Sequence, residues 1–171
     1  MCELRGIRIM YDFISPNNPA FPYREVLDLF KNNKYYLKDD YSINDDKDFL
    51  DGLIRFSSRH FFAVLYKSAL VGVLYLHDWQ GAENNYHSCY LSGFAKKKTA
   101  QHTEKALKEL CFYLFERHKL FKITAKTDKN NKPAQFCLKR AGFRHESTLY
   151  NTSFRDKKPV DVYIYAVYKG G

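Results

Sequence analysis

A few side chains hold the chemistry available to this chain. Six histidines, His60, His77, His87, His102, His118 and His145, carry imidazoles that titrate near neutral pH and can move protons. They show no ligand spacing with Cys or Asp, so no metal site is expected. Lys96, Lys97 and Lys98 form a basic cluster ahead of a long helical pattern. An anionic partner suits it; a solvated loop is the plain alternative. Cys2, Cys89, Cys111 and Cys137 are far apart and form no metal-like pair. Three of them fall on apolar faces, so buried free thiols in a reducing cytoplasm are expected. A Ser-His-Asp hydrolase is not expected, because there is no Gly-x-Ser-x-Gly elbow.

Charge narrows the partner. The 171 residues carry a net +9. Residues 1–85 hold 10 Lys/Arg against 12 Asp/Glu, whereas residues 86–171 hold 18 against 7. A phosphorylated cofactor would satisfy the basic half, and so would nucleic acid. The length fits one domain over 1–171. With 45% hydrophobic residues, 14 Tyr and 14 Phe, disorder is not expected. No apolar run reaches the ~20 residues of a membrane span. The start, MCELRGIRIMYDF, lacks the apolar stretch and cleavage site of a signal peptide.

The elements that must position these residues follow from periodicity. Residues 4–13 read as an opening strand, and Tyr23, Val26, Leu27 and Phe30 as a first helix. Lys31–Asp46 reads as polar and irregular. Phe49, Leu50, Leu53 and Ile54 share one face of a second helix, with Asn44 or Asp45 as cap. His60–Tyr66 and Ala69–His77 read as a hairpin turning at Lys67-Ser68, and Asp78–Asn85 as a loop. His87, Cys89, Leu91 and Gly93 alternate with their neighbours as a fourth strand. Ala106, Leu107, Leu110, Cys111, Leu114 and Phe115 give a long helix its buried stripe. Ile123–Thr127 is a fifth strand. A turn at Asp128–Asn131, Pro133 in the first turn and Gly142 past the last frame another helix. Two strands follow, one to about Phe154 and one over Val160–Tyr168. This order predicts an α+β fold: a mixed, mostly antiparallel sheet of about seven strands, with about four helices on both faces.

Asn131-x-x-Ala134 followed by Leu138-Lys139-Arg140-Ala141-Gly142-Phe143 resembles the Asn-x-x-Ser/Ala … Gly-Phe signature of the GNAT superfamily of acyl-CoA-dependent N-acetyltransferases. Glu146, the Tyr150 strand, and Asp161 before Tyr163 and Tyr165 are similar to the branch that acetylates ribosomal-protein N-termini. The resemblance implies a sheet that splays between strands four and five. It implies acetyl-CoA as co-substrate and no metal. The pantetheine would pair with backbone at Leu91, Ser92, Gly93 and Phe94. The loop Lys98, Thr99, Ala100, Gln101, His102 and Thr103 would face the pyrophosphate, with free N–H groups at a helix start. Asn131 is implied as a cofactor contact or a turn cap. An amine on a protein N-terminus, a lysine or a small molecule would attack the thioester directly.

Two departures bear on catalysis. The family loop reads Arg/Gln-x-x-Gly-x-Gly/Ala, and here Gln101 and Thr103 fill the glycine places; a register shifted by one puts Ala100 and His102 there. The usual proton donors are replaced by Leu138 and Ala134. On the splay-facing strand His87 is the candidate base, with His77, Asp78 and Glu83 as nearby alternatives reached directly or through water, and Tyr150 is the candidate acid. Two other readings stay open. One is a fold of this type that has lost catalysis and serves as a binding module. The other is a nucleic-acid binder stacking bases on Tyr150, Phe154, Tyr163 and Tyr165.

Overall fold

The computed structural model describes residues 3–4, 7–8, 10–37, 45–57, 60–82 and 85–170. Its elements are β1 (Glu3–Leu4), β2 (Ile7–Arg8), β3 (Asp12–Ile14), α1 (Tyr23–Lys31), α2 (Lys34–Leu37), α3 (Asp46–Ser57), β4 (Phe61–Tyr66), β5 (Ala69–Ala82), β6 (Asn85–Ala95), α4 (Ala100–Arg117), β7 (Lys122–Asp128), α5 (Lys132–Arg140), β8 (Arg144–Arg155) and β9 (Lys158–Tyr168). A 3-10 turn over Lys97–Thr99 leads into α4. Seven strands form one sheet in the order β3-β4-β5-β6-β7-β9-β8. Its pairs are antiparallel except β6–β7, which is parallel.

The two faces bury separate cores. Leu107, Leu110 and Leu114 of α4, with Leu138 of α5 and its C-cap Ala141, close over Leu76, Cys89, Leu91, Ile123 and Ala125. Val26, Leu29 and Phe30 of α1, with Leu50 of α3, close over Phe61, Ala63, Val73, Tyr75 and Phe94 on the other face. Alternate residues of β6 therefore serve opposite cores, as the two-residue period of a strand dictates. No helix among the described residues is long and apolar enough to cross a membrane.

Capping chemistry sets the helix ends. Asp45 serves α3: its carboxylate accepts from Asp48 N at 2.7 Å; Asn44, the other expected cap, lies outside the described residues. At the far end of α5, Gly142 takes φ +97, where a side chain is disfavoured. The amides of Gly142 and Phe143 donate to Lys139 O and Leu138 O, closing the last turn as a Schellman motif.

Three expectations need correction. The opening strand does not run over 4–13: its described parts are the short β1–β2 pair and β3, of which only β3 joins the main sheet. The Asp78–Asn85 segment is not a loop throughout. A bulge at Asp78, whose φ is +48, lets β5 continue to Ala82 opposite β6. Within the polar Lys31–Asp46 stretch, Lys34–Leu37 folds as the short α2, which makes five α-helices among the described residues.

Candidate active site

The sheet opens on one line. Ser88, Cys89 and Tyr90 pair with Lys122, Ile123 and Thr124, and there the β6–β7 ladder stops. Beyond it, β6 stays paired with β5 as far as Ala95, and β7 stays paired with β9 as far as Asp128. Among the described residues, no strand pairs with the facing edges of 91–95 and 125–128. Unpaired backbone edges demand hydrogen-bond partners, which water or an extended ligand can supply, and the gap between them forms a slot. Leu91, Ser92, Gly93 and Phe94, the predicted pantetheine segment, form one wall. Leu91 and Phe94 bury their side chains in opposite cores, so only their backbone faces the slot. Gly93 is fixed by its other neighbour: a Cβ there would lie 2.4 Å from Val73 O on β5.

The basic loop lies at the open end of the slot. Thr99 Oγ1 sits 2.9 Å from both Val71 O and Lys96 O. It makes no side-chain cap to the first turn of α4. The amides that begin this helix at Ala100 are therefore left to another acceptor. Lys98 and Gln101 are exposed beside them. The side chains at the other glycine places turn away. His102 Nδ1 lies 3.1 Å from Tyr11 Oη, and its ring packs at 4.3 Å on Tyr66. Thr103 Oγ1 donates to Thr99 O at 3.3 Å. A cavity of about 290 Å³, lined by Leu29, Asn32, Asn33, Ala95, Lys96 and Lys97, opens next to the loop.

On the face away from α4, a chain of hydrogen-bonded side chains reaches the slot. Ser92 stands just past the last paired residue, and its Oγ lies 3.0 Å from His77 Nε2. His77 Nδ1 lies 3.0 Å from Asp78 Oδ2. The positive φ of Asp78 turns that carboxylate back onto the preceding ring. Asp78 is 51% exposed while His77 is 17% exposed, so the path runs from the slot to solvent. Tyr75 lies opposite Ser92 in the β5–β6 ladder, and burial pushes its phenol above the usual range. Tyr90 stacks on His77 at 5.8 Å, and Lys126 Nζ reaches across from β7 to sit 4.5 Å from the Tyr90 ring centroid.

The structure does not gather all the predicted residues here. His87 precedes the paired stretch, at the closed end of the sheet, where its carbonyl accepts from Phe121 N at 2.7 Å. It does not stand beside the opening, because β6 bulges at this residue and the ladder with β7 continues for three pairs after it. Tyr150 is 74% exposed on β8, the edge strand, two strands from the slot. Glu83 lies outside the described residues. Asn131 caps α5, accepting from Ala134 N at 3.3 Å. Leu138 is in the core. His77 and Asp78 are legible in the sequence as alternatives to His87, but their link to Ser92 is not, because those contacts depend on hairpin register and on the bulge.

Comparison with known proteins follows this geometry. The model of the acetyltransferase (GNAT) family matches residues 23–143. Among solved structures, a GNAT-family acetyltransferase from Bacillus anthracis superposes with a TM-score of 0.76 at 16% identity, covering 95% of this chain and 97% of the other. RimL, a ribosomal L7/L12 alpha-N-protein acetyltransferase in complex with coenzyme A, gives 0.74 at 13% identity, covering 94% and 95%. Spermidine N-acetyltransferase from Vibrio cholerae, in complex with CoA and spermine, gives 0.72 at 16% identity, covering 93% and 95%. Against curated protein sequences the chain finds no match. The match to the family model spans most of the chain, the opened seven-stranded sheet is that of the solved relatives, and the chain belongs to the acetyltransferase (GNAT) family.

Proposed function

We propose that this protein transfers an acetyl group from acetyl-CoA to a primary amine by direct attack. The opening between β6 and β7 carries the reading: two unpaired strand edges begin where the parallel ladder ends at Tyr90 and Thr124. Backbone at Leu91–Phe94 would hold the pantetheine arm, and the first turn of α4 with Lys96–Lys98 would hold the pyrophosphate. The thioester supplies the acetyl group. No metal is part of this reading. Free thiols at Cys89, Cys111 and Cys137 fit a reducing, cytoplasmic setting.

The chain's own residues handle one proton. An amine arriving as ammonium must lose it before or during attack. Ser92 passes it to His77 Nε2, and Asp78 holds the ring so that this nitrogen faces Ser92. Departure of the thiolate needs no donor, since a thiol of pKa near 8.5 leaves readily as an anion. Leu138 and Ala134, in the usual donor places, are then no bar.

Titration with acetyl-CoA tests the first half. At 100 times its dissociation constant the ligand stabilises by about 2.7 kcal/mol, which raises Tm by about 5–10 °C in a chain of this size. No shift at millimolar acetyl-CoA refutes the enzyme reading and favours a binding module. For the second half, His77→Gln is expected to lower kcat by about 10²–10⁴ with acetyl-CoA affinity unchanged, whereas His87→Gln leaves both alone. The reverse pattern returns the base to His87.

A further inference from the structure

We propose that Lys126 selects the acceptor: an amine accompanied by a carboxylate, such as the N-terminus of an acidic peptide, and not a polycation. This rests on the acetyl-transfer reading above and concerns the same slot.

Lys126 is two residues past the last paired position of β7. Its neighbours Ile123 and Ala125 are buried under α4 and α5, so Lys126 belongs to the opposite face, with Tyr90 and Ser92. From that face its ammonium reaches back to the Tyr90 ring, at the last paired rung, where the slot begins. The anion-binding loop lies at the α4 end, which leaves the Tyr90–Ser92–Lys126 face as the acceptor's approach to the proton path. Lys126 is exposed, and no carboxylate among the described residues pairs with it. The next acid on the same face of β7, Asp128, is held by Arg155 Nε at 2.9 Å, with both side chains under a tenth exposed. The acceptor side of the slot thus carries one uncompensated positive charge, in the half of the chain with the large basic excess.

Two consequences follow from like- and unlike-charge interaction. A polyamine brings further ammonium groups toward Lys126 and is repelled. A peptide with Asp or Glu near its N-terminus is drawn in, and its reacting ammonium sheds a proton more easily beside a fixed cation. The spermidine-acetylating relative has the same fold, so the fold does not set this choice and a side chain at the slot can.

The test compares wild type, Lys126→Gln and Lys126→Glu with three acceptors: a peptide beginning Ser-Asp-Glu, its Ser-Asn-Gln counterpart, and spermidine. Wild type is expected to show the highest kcat/KM with the acidic peptide. Lys126→Glu is expected to lower the acidic-to-neutral ratio by about tenfold or more and to raise turnover of spermidine, with Lys126→Gln between. An unchanged ratio in Lys126→Glu, or a wild type that prefers spermidine, overturns the proposal. Peptide affinity in the presence of free CoA is measured separately by fluorescence anisotropy. Acidic-peptide binding about tenfold tighter in wild type than in Lys126→Glu supports the assignment; equal binding overturns it. If that difference holds while no acceptor is acetylated, the acetyl-transfer reading fails and the role of Lys126 stands.

Discussion

Two glycines offer the same chemical change with opposite results. Gly93 lies opposite Leu74 in the β5–β6 ladder, and an added Cβ would sit 2.4 Å from Val73 O and 2.8 Å from Leu74 Cδ2. The leucine end can swing, but the carbonyl belongs to the neighbouring strand and moves only with the ladder. Overpacking costs about 1–3 kcal/mol, and a clash with backbone belongs at the top of that range. Loss of glycine's freedom in the unfolded chain returns about 0.4–1 kcal/mol. Gly93→Ala is therefore expected to lose about 2 kcal/mol, and Tm falls by about 4–8 °C. Gly52 lies inside α3, where an added Cβ meets nothing within 4 Å. Gly52→Ala is expected to gain about 0.8–1 kcal/mol of helix propensity, raising Tm by about 2–4 °C. Calorimetric melts of both variants give the comparison. Because β6 is one wall of the slot, Gly93→Ala should also weaken acetyl-CoA binding, and Gly52→Ala should not. A Gly93→Ala protein that melts at or above wild type refutes the close approach of β5 to the slot wall. Equal losses in both variants refute the argument from space.

Two further outcomes concern charge. Arg155 also donates to Phe154 O and Tyr36 O, joining α2 to the β8–β9 hairpin beside the buried Asp128. Arg155→Ala is expected to cost about 3–5 kcal/mol in urea unfolding, and adding Asp128→Asn should recover part of it; a loss under 1 kcal/mol contradicts a buried pair. Glu104 of α4 is held below the usual carboxylate range by hydrogen bonds from Lys108 at 3.0 Å and Arg140 at 2.6 Å, against the opposing effect of burial. Its folded pKa is depressed, so its stabilisation is present above the unfolded value near 4.3 and is lost as pH falls through the folded one. Glu104→Gln should lower the urea midpoint at pH 7 and flatten its decline at lower pH; parallel curves for the two proteins would show that Glu104 does not couple to folding.

Local chemistry made much of this fold readable. Pro133 and Gly142 bracket α5 because each is tied to one helix end, and the alternation around Cys89 and Leu91 marks β6 because its two faces fill two cores. What escaped depends on register. The Lys67-Ser68 turn places both residues at positive φ, 49 and 62, without the Asn-Gly that announces such a turn. That turn, with the bulge at Asp78, decides that His77 meets Ser92 and that His87 does not reach the slot. A one-residue slip moves every side chain to the other face, so a base chosen by counting along one strand is exposed to this error. Lys126 was hidden for a related reason, because its partner Tyr90 is 36 residues earlier and on a parallel strand.

The glycine-poor loop weighs less against catalysis once its side chains are followed. Glycine serves a phosphate loop by leaving room above the helix start. His102 leaves that room by another route: its ring packs on Tyr66 and meets Tyr11, both contacts belonging to the β3–β4 side of the fold. Thr103 bends back to Thr99 O, and Thr99 bonds to Val71 O instead of capping the turn. Among the described side chains at the glycine places, Gln101 is exposed near the helix start, and a glutamine can donate to a phosphate oxygen. The requirement of the site is free amides beside positive charge. Under the proposed acetyl-CoA reading, this chain supplies both with displaced side chains and three lysines.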